Sequence, residues 1–129
     1  MSNQIKPQPS VVVIFGAGGD LTWRKLIPAF YNLFLDGWLP EELAIVGLDV
    51  KHMDLEELCT RLREGIDQFS RRGKSKEADW KRFTQHFDSF LSGDFSKPQI
   101  YLQLVDHLAE IDRRWKTKAN HIFYLATPP

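Results

Sequence analysis

Cysteine is nearly absent from this 129-residue chain: Cys59 stands alone, so no internal disulfide can form. That usage, with a polar, proline-bearing start (Met1 to Ser10) unlike a signal peptide, leads us to expect a cytoplasmic protein. Cys59 flanks an apolar helix face and reads as a structural thiol. No run of 18 apolar residues occurs, so no membrane-spanning helix is expected. Excess charge of either sign is also lacking. Seventeen basic side chains cancel seventeen acidic ones, leaving no electrostatic footprint for nucleic acid. The one basic cluster, Arg71 to Lys76, reads as a solvated loop. His52, His86, His107 and His121 have no paired ligand spacing, so no metal site is expected. There is no internal repeat and no low-complexity segment. What remains is ordinary globular material, 43% hydrophobic and 26% charged. One domain of this length buries roughly two thirds of its unfolded surface.

Apolar segments alternate between two periods. Residues 1–10 read as a flexible arm and 11–129 as one domain. Val11 to Phe15 is apolar on both faces, as in a buried parallel strand. A helix should begin near Asp20, kink at Pro28, which cannot donate to the carbonyl of Arg24, and run to Asp36 before Gly37. Ile27, Phe30, Leu33 and Phe34 are its expected inner face. Leu43 to Leu48 is the second strand. Asp54 with Glu57 resembles a capping box, followed by Leu55, Leu58, Leu62, Ile66 and Phe69 at helical spacing. Trp80, Phe83, Phe87 and Phe90 suggest another helix, with a short third strand over Phe90 to Ser92. Ser96 and Gln99 open a last helix with the face Ile100, Tyr101, Leu104, Leu108, Ile111 and Trp115. His121 to Ala126 is the fourth strand.

This alternation predicts an α/β fold, a partial Rossmann-like doubly wound parallel sheet of about four strands in the order 3-2-1-4. That order makes the first and fourth strands neighbours. Their carboxyl ends, the turn from Gly16 to Leu21 and the segment Ala126-Thr127-Pro128, then flank the switch-point crevice where such sheets bind ligands. Gly16-Ala17-Gly18-Gly19-Asp20-Leu21 lies between strand and helix. Glycines there permit positive φ and close approach of a pyrophosphate, while the helix start presents free N–H groups and a positive dipole end.

The stretch Gly16 to Pro28, GAGGDLTWRKLIP, resembles the glucose-6-phosphate dehydrogenase signature G-x-x-G-D-L-x-x-R-K-L-x-P. The resemblance continues through Ala29 to Leu33, Leu43 to Gly47, Leu91 to Phe95 and Phe123 to Pro129, and is loose from about Met53 to Phe90. It implies that loop backbone from Gly16, Ala17, Gly18, Gly19, Asp20 and Leu21 contacts the cofactor pyrophosphate. Gly18 stands where the family often has a hydroxyl residue. Lys25 matches a basic residue near the sugar phosphate and nicotinamide, so it is the expected substrate contact. Arg24 is expected to brace the helix through an ion pair, and Trp23, where many relatives are basic, receives no role. Thr127 and Pro128, after Ala126, match the turn beside the nicotinamide ribose. Asp94 and Phe95 match a stretch near the adenine side, with a loop-capping aspartate the equal alternative.

The resemblance implies NADP as cofactor, yet two positions leave NAD open. Asp49, just past the second strand, suits the adenosine ribose of NAD, and Val50 stands where the family has an arginine for the 2′-phosphate. Lys51 is the nearest substitute charge. By the same resemblance, the catalytic histidine, its carboxylate partner and the E-K-P lysine lie beyond Pro129, so no catalytic residue is expected here. The substrate domain and oligomer interface are likewise expected to be absent, and the fourth strand should present a bare edge. The expected activity is hydride transfer from glucose 6-phosphate to NADP, giving 6-phosphogluconolactone in the pentose phosphate pathway, with this chain as the inactive cofactor-binding front half. The alternative is a stand-alone module that binds nucleotide or a partner without catalysis. A folded domain without ligand is the third reading.

Overall fold

A computed structural model describes residues 8–126. Strand β1 (Ser10–Phe15) is followed by a helix that enters at Asp20 and Leu21, passes through a π turn (Thr22–Leu26) and continues as α1 (Ile27–Leu35). Then come β2 (Leu43–Asp49), α2 (Leu55–Phe69), α3 (Glu77–Thr84), β3 (Phe87–Ser92), α4 (Pro98–Trp115) and β4 (Asn120–Leu125). The sheet is parallel throughout, in the expected order β3-β2-β1-β4. Val12 pairs with Ile45 on one side and Ile122 on the other.

Side chains alternate across this sheet, and helices cover both faces. Val12, Ile14 and Ile45 pack under Ile27 and Phe30 of α1, Leu58, Leu62 and Ile66 of α2, and Trp80 and Phe83 of α3. Val11, Val13, Val46 and Leu48 pack against Ile100, Leu104, Leu108 and Ile111 of α4. The result is a doubly wound three-layer arrangement. Asp54 caps α2 by accepting from Glu57 N at 2.7 Å, as its spacing predicts.

Three local expectations need correction. The disruption at Pro28 takes the form of a π turn, in which Ile27 N donates to Thr22 O, five residues back. Widening the helix there relieves the clash of the proline ring with the carbonyl of residue 24 and absorbs the missing N–H. Leu33 is exposed, and Tyr31 joins Ile27, Phe30 and Phe34 instead, its ring centroid 5.4 Å from that of Phe83. Finally, the expected third strand over Phe90 to Ser92 starts earlier, at Phe87, and α3 stops at Thr84. Phe83 at the helix end and Phe87 at the strand start meet edge to face at 5.5 Å. Both rings enter one core, so spacings of three and four persisted across a change of element that only pairing with β2 reveals.

Candidate functional site

The loop after β1 is fixed by backbone hydrogen bonds on every side. Gly16 N and Ala17 N both donate to Leu48 O, at 2.8 and 3.0 Å, which ties the turn to the end of β2. Gly19 N closes the turn onto Gly16 O at 2.9 Å, and Trp23 N continues the chain into the helix by donating to Gly19 O at 3.2 Å. Gly16 has φ 88°, a left-handed conformation that an L side chain would strain. A β-carbon on Gly19 would lie 3.1 Å from Gly16 O, a backbone contact tight enough to crowd the turn.

Two contributors escaped the sequence reading. Thr22 is fully buried and its Oγ1 donates to Gly16 O at 2.9 Å, tying the π turn to the loop. Gly47, in the middle of β2, lets Ala17 lie on the strand, since a β-carbon at 47 would be 2.7 Å from that of Ala17. Threonine after G-D-L is an obvious local hydrogen-bonding residue, but the carbonyl it reaches is six positions back. The partner of Gly47 is thirty positions away, and no local pattern identifies it.

Asp49 closes the other side. It ends β2, is only 6% exposed, and accepts from Gly18 N at 2.8 Å through Oδ2 and from Lys51 N at 3.1 Å through Oδ1. The Lys51 side chain is exposed beside it. Ala126 is buried and its N donates to Phe15 O at 2.8 Å, bringing the end of β4 to the loop. Thr127 and Pro128 lie outside the described residues. Phe95 meets Phe15 edge to face at 5.5 Å, beside the carboxyl end of β1. Asp94 is turned to its own loop, where Oδ1 accepts from Ser96 Oγ at 2.7 Å and Ser96 N at 2.9 Å, bonds that hold its pKa below the ordinary value.

The helix start carries the remaining candidates. Asp20 pairs with Arg24 at 3.2 Å, the bracing contact expected of Arg24, and the arginine also lies over the Phe69 ring at 5.5 Å. Leu21 is exposed. Trp23 packs edge to face on Phe69 at 4.9 Å with Arg61 over its ring at 5.0 Å, so it fastens the π turn to α2. Lys25 is exposed and lines an open groove of about 570 Å³ with Arg24, Asn32, Ser70 and Arg71, a groove that no residue of the turn from Gly16 to Asp20 lines. The structure thus gathers Gly16 to Asp20, Asp49, Phe95 and Ala126 at the carboxyl end of the sheet and sets Lys25 on a neighbouring surface.

This end of the sheet fits a dinucleotide. The turn is bare of side chains at Gly18 and Gly19, and the amides that open the helix have no intrahelical carbonyl to pair with, which suits a pyrophosphate. Asp49 supplies carboxylate acceptors at the end of β2, where a ribose diol would be held. Among the described residues no cluster of three or more His, Cys, Asp or Glu could hold a metal ion, and no helix is long and apolar enough to cross a membrane.

Comparison with known proteins bears on the same end of the sheet. Residues 13–129 match the family model described as glucose-6-phosphate dehydrogenase, NAD binding domain. The chain is 38% identical over 121 residues to a glucose-6-phosphate 1-dehydrogenase of Chlamydia muridarum, covering 94% of this chain and 24% of that protein. To the Aspergillus niger enzyme of the same name it is 35% identical over 120 residues, covering 93% and 22%. It superposes with a TM-score of 0.84 on a glucose-6-phosphate dehydrogenase solved in complex with its substrate glucose-6-phosphate, at 28% identity, covering 100% of this chain and 26% of that one. For a glucose-6-phosphate 1-dehydrogenase from Mycobacterium avium the TM-score is 0.78, again at 28% identity, covering 95% and 24%. The chain spans about a quarter of the length of these relatives.

Proposed function

The chain belongs to the glucose-6-phosphate dehydrogenase family, and from that premise we propose that it is the cofactor-binding front of an enzyme oxidising glucose 6-phosphate to 6-phosphogluconolactone. The cofactor is a nicotinamide dinucleotide, NADP by family resemblance, with NAD left open by Asp49 and Val50. When bound, its nicotinamide supplies the hydride acceptor. The chain's own part is to hold it: loop backbone from Gly16 to Leu21 at the pyrophosphate, Asp49 and Lys51 at the adenosine ribose, and Phe95 with Asp94 towards the adenine. Ala126, Thr127 and Pro128 stand towards the nicotinamide ribose, and Lys25 meets the sugar phosphate. No residue of this chain is assigned as the base for the C1 hydroxyl, so the 129-residue chain alone is expected to bind cofactor weakly and to show no turnover.

The observation that carries this reading is the glycine turn held between β1, β2 and the end of β4, with side-chain-free positions at Gly18 and Gly19. Calorimetric titration of the chain with NADP⁺ and then NAD⁺ at matched salt tests it. Saturable binding abolished by Gly19→Val is the expected result. A folded chain that binds neither dinucleotide would restrict the dehydrogenase label to ancestry. A second reading, a module that binds nucleotide or a partner without catalysis, is favoured by the exposure of all six β4 residues at the sheet edge. A reading frame that continues into a histidine and an E-K-P segment selects the enzyme. A stop codon after Pro129 selects the module.

A further inference from the structure

Asp49 is held as firmly as the loop it faces. Each carboxylate oxygen takes one backbone donor, Gly18 N at 2.8 Å and Lys51 N at 3.1 Å. Neither donor can rotate away as a side chain could. An ionised carboxylate offers about four acceptor positions, so roughly two remain for a ligand. Gly18 is the other half of the arrangement. A β-carbon there would sit 3.1 Å from Asp49 Oδ2 and 3.4 Å from Met53 Cε, so any side chain at 18 pushes against the carboxylate. Glycine at 18 thus lets the carboxylate lie close against the turn.

We infer that Gly18 and Asp49 form one unit that selects the adenosine end of the cofactor, accepting the free ribose diol of NAD⁺ and disfavouring the 2′-phosphate of NADP⁺. This deepens the dinucleotide-binding reading and rests on it. Ribose hydroxyls donate, and the free acceptor positions of Asp49 receive them. A 2′-phosphate has no hydroxyl proton to give at that position and carries nearly two negative charges near neutral pH. It would meet a carboxylate fixed in place by backbone. The surroundings do little to offset this charge. Val50 is apolar and exposed, His52 is turned to Ser92 Oγ at 3.1 Å, and the exposed Lys51 is the one cation next in sequence. The bond to Asp49 also removes Gly18 N from the donors available to the pyrophosphate, which leaves that task to the amides at the helix start.

Calorimetric titration of the full 129-residue chain with NAD⁺ and NADP⁺ at one ionic strength reads the preference directly. The expected result is at least tenfold tighter binding of NAD⁺. Asp49→Ala should weaken NAD⁺ and strengthen NADP⁺, bringing their ratio near one. Asp49→Asn keeps an acceptor for Gly18 N while removing the charge, so it serves if the alanine variant fails to fold by circular dichroism, and it should shift the ratio in the same direction. Gly18→Ser retains Asp49 but shifts its carboxylate, and should reduce the preference as well. NADP⁺ bound as tightly as NAD⁺ by the unaltered chain overturns the inference and leaves dinucleotide binding standing. Equal losses for both cofactors in the Asp49 variants also overturn it, because the carboxylate would then serve only the loop. A folded chain that binds neither overturns both readings.

Discussion

Gly16 O receives two hydrogen bonds, from Gly19 N at 2.9 Å and from Thr22 Oγ1 at 2.9 Å. A carbonyl held twice cannot swing into the space where an anion would lie, so Thr22 supports the site without entering it. Burial likewise separates reactive groups from inert ones. Cys59 is half-buried beside the core under α2, and burial pushes its thiol up to about 11 from 9.0. Fewer than about one in a hundred such thiols is ionised at pH 8, and the thiolate is the nucleophile. Alkylation of the folded chain at pH 8 should therefore run at least tenfold slower than in urea. Equal rates would show that Cys59 is freely accessible. The neutral thiol favours the folded state below about pH 9, and this contribution fades as pH rises towards 11.

At the scale of elements, the junction between the π turn and α2 depends on a helical glycine. Gly65 faces Trp23 so closely that a β-carbon would lie 2.5 Å from both the indole Cδ1 and the Trp23 carbonyl oxygen. Alanine at 65 gains about 1 kcal/mol of helix propensity. Overpacking against a backbone carbonyl costs about 1–3 kcal/mol. Gly65→Ala should therefore destabilise the chain by about 1 kcal/mol, read as a lower urea midpoint with altered tryptophan fluorescence. A higher midpoint would mean that Trp23 moves aside freely. Because Trp23 lies within the π turn that Thr22 ties to Gly16, the same variant should weaken dinucleotide binding.

Across the whole molecule, the two sheet edges differ. The β3 edge carries buried or half-buried residues, while every residue of β4 is exposed and Leu125 reaches 76%. Leu102 and Val105 of α4 add to the apolar surface. A six-residue strand without Asp, Glu, Lys, Arg or Pro, open along one side, is a template for pairing with another chain. The isolated chain should self-associate as its concentration rises. Phe123→Lys, placing charge on that strand, should shift it towards monomer in light scattering by size. A wild-type chain that stays monomeric at high concentration would mean that the edge is protected.

Element types and their order were legible in the sequence because periods of two and of 3.6 follow directly from backbone geometry. The glycine turn was legible for a similar reason: Gly16, Gly18 and Gly19 lie together at a strand–helix boundary, and only small residues suit that turn. Short-range chemistry was equally visible in the cap at Asp54 and the bracing of Arg24. Tertiary structure decided what depends on contacts between distant residues. It started the third strand three residues earlier, at Phe87, because pairing with β2 outweighed a helical spacing that both geometries satisfy. It turned the break at Pro28 into a π turn anchored by Trp23, and it revealed Thr22 and Gly47 as supports of the loop. Above all, it joined Gly18 to Asp49, thirty-one positions apart, because parallel pairing of β1 with β2 sets their carboxyl ends side by side.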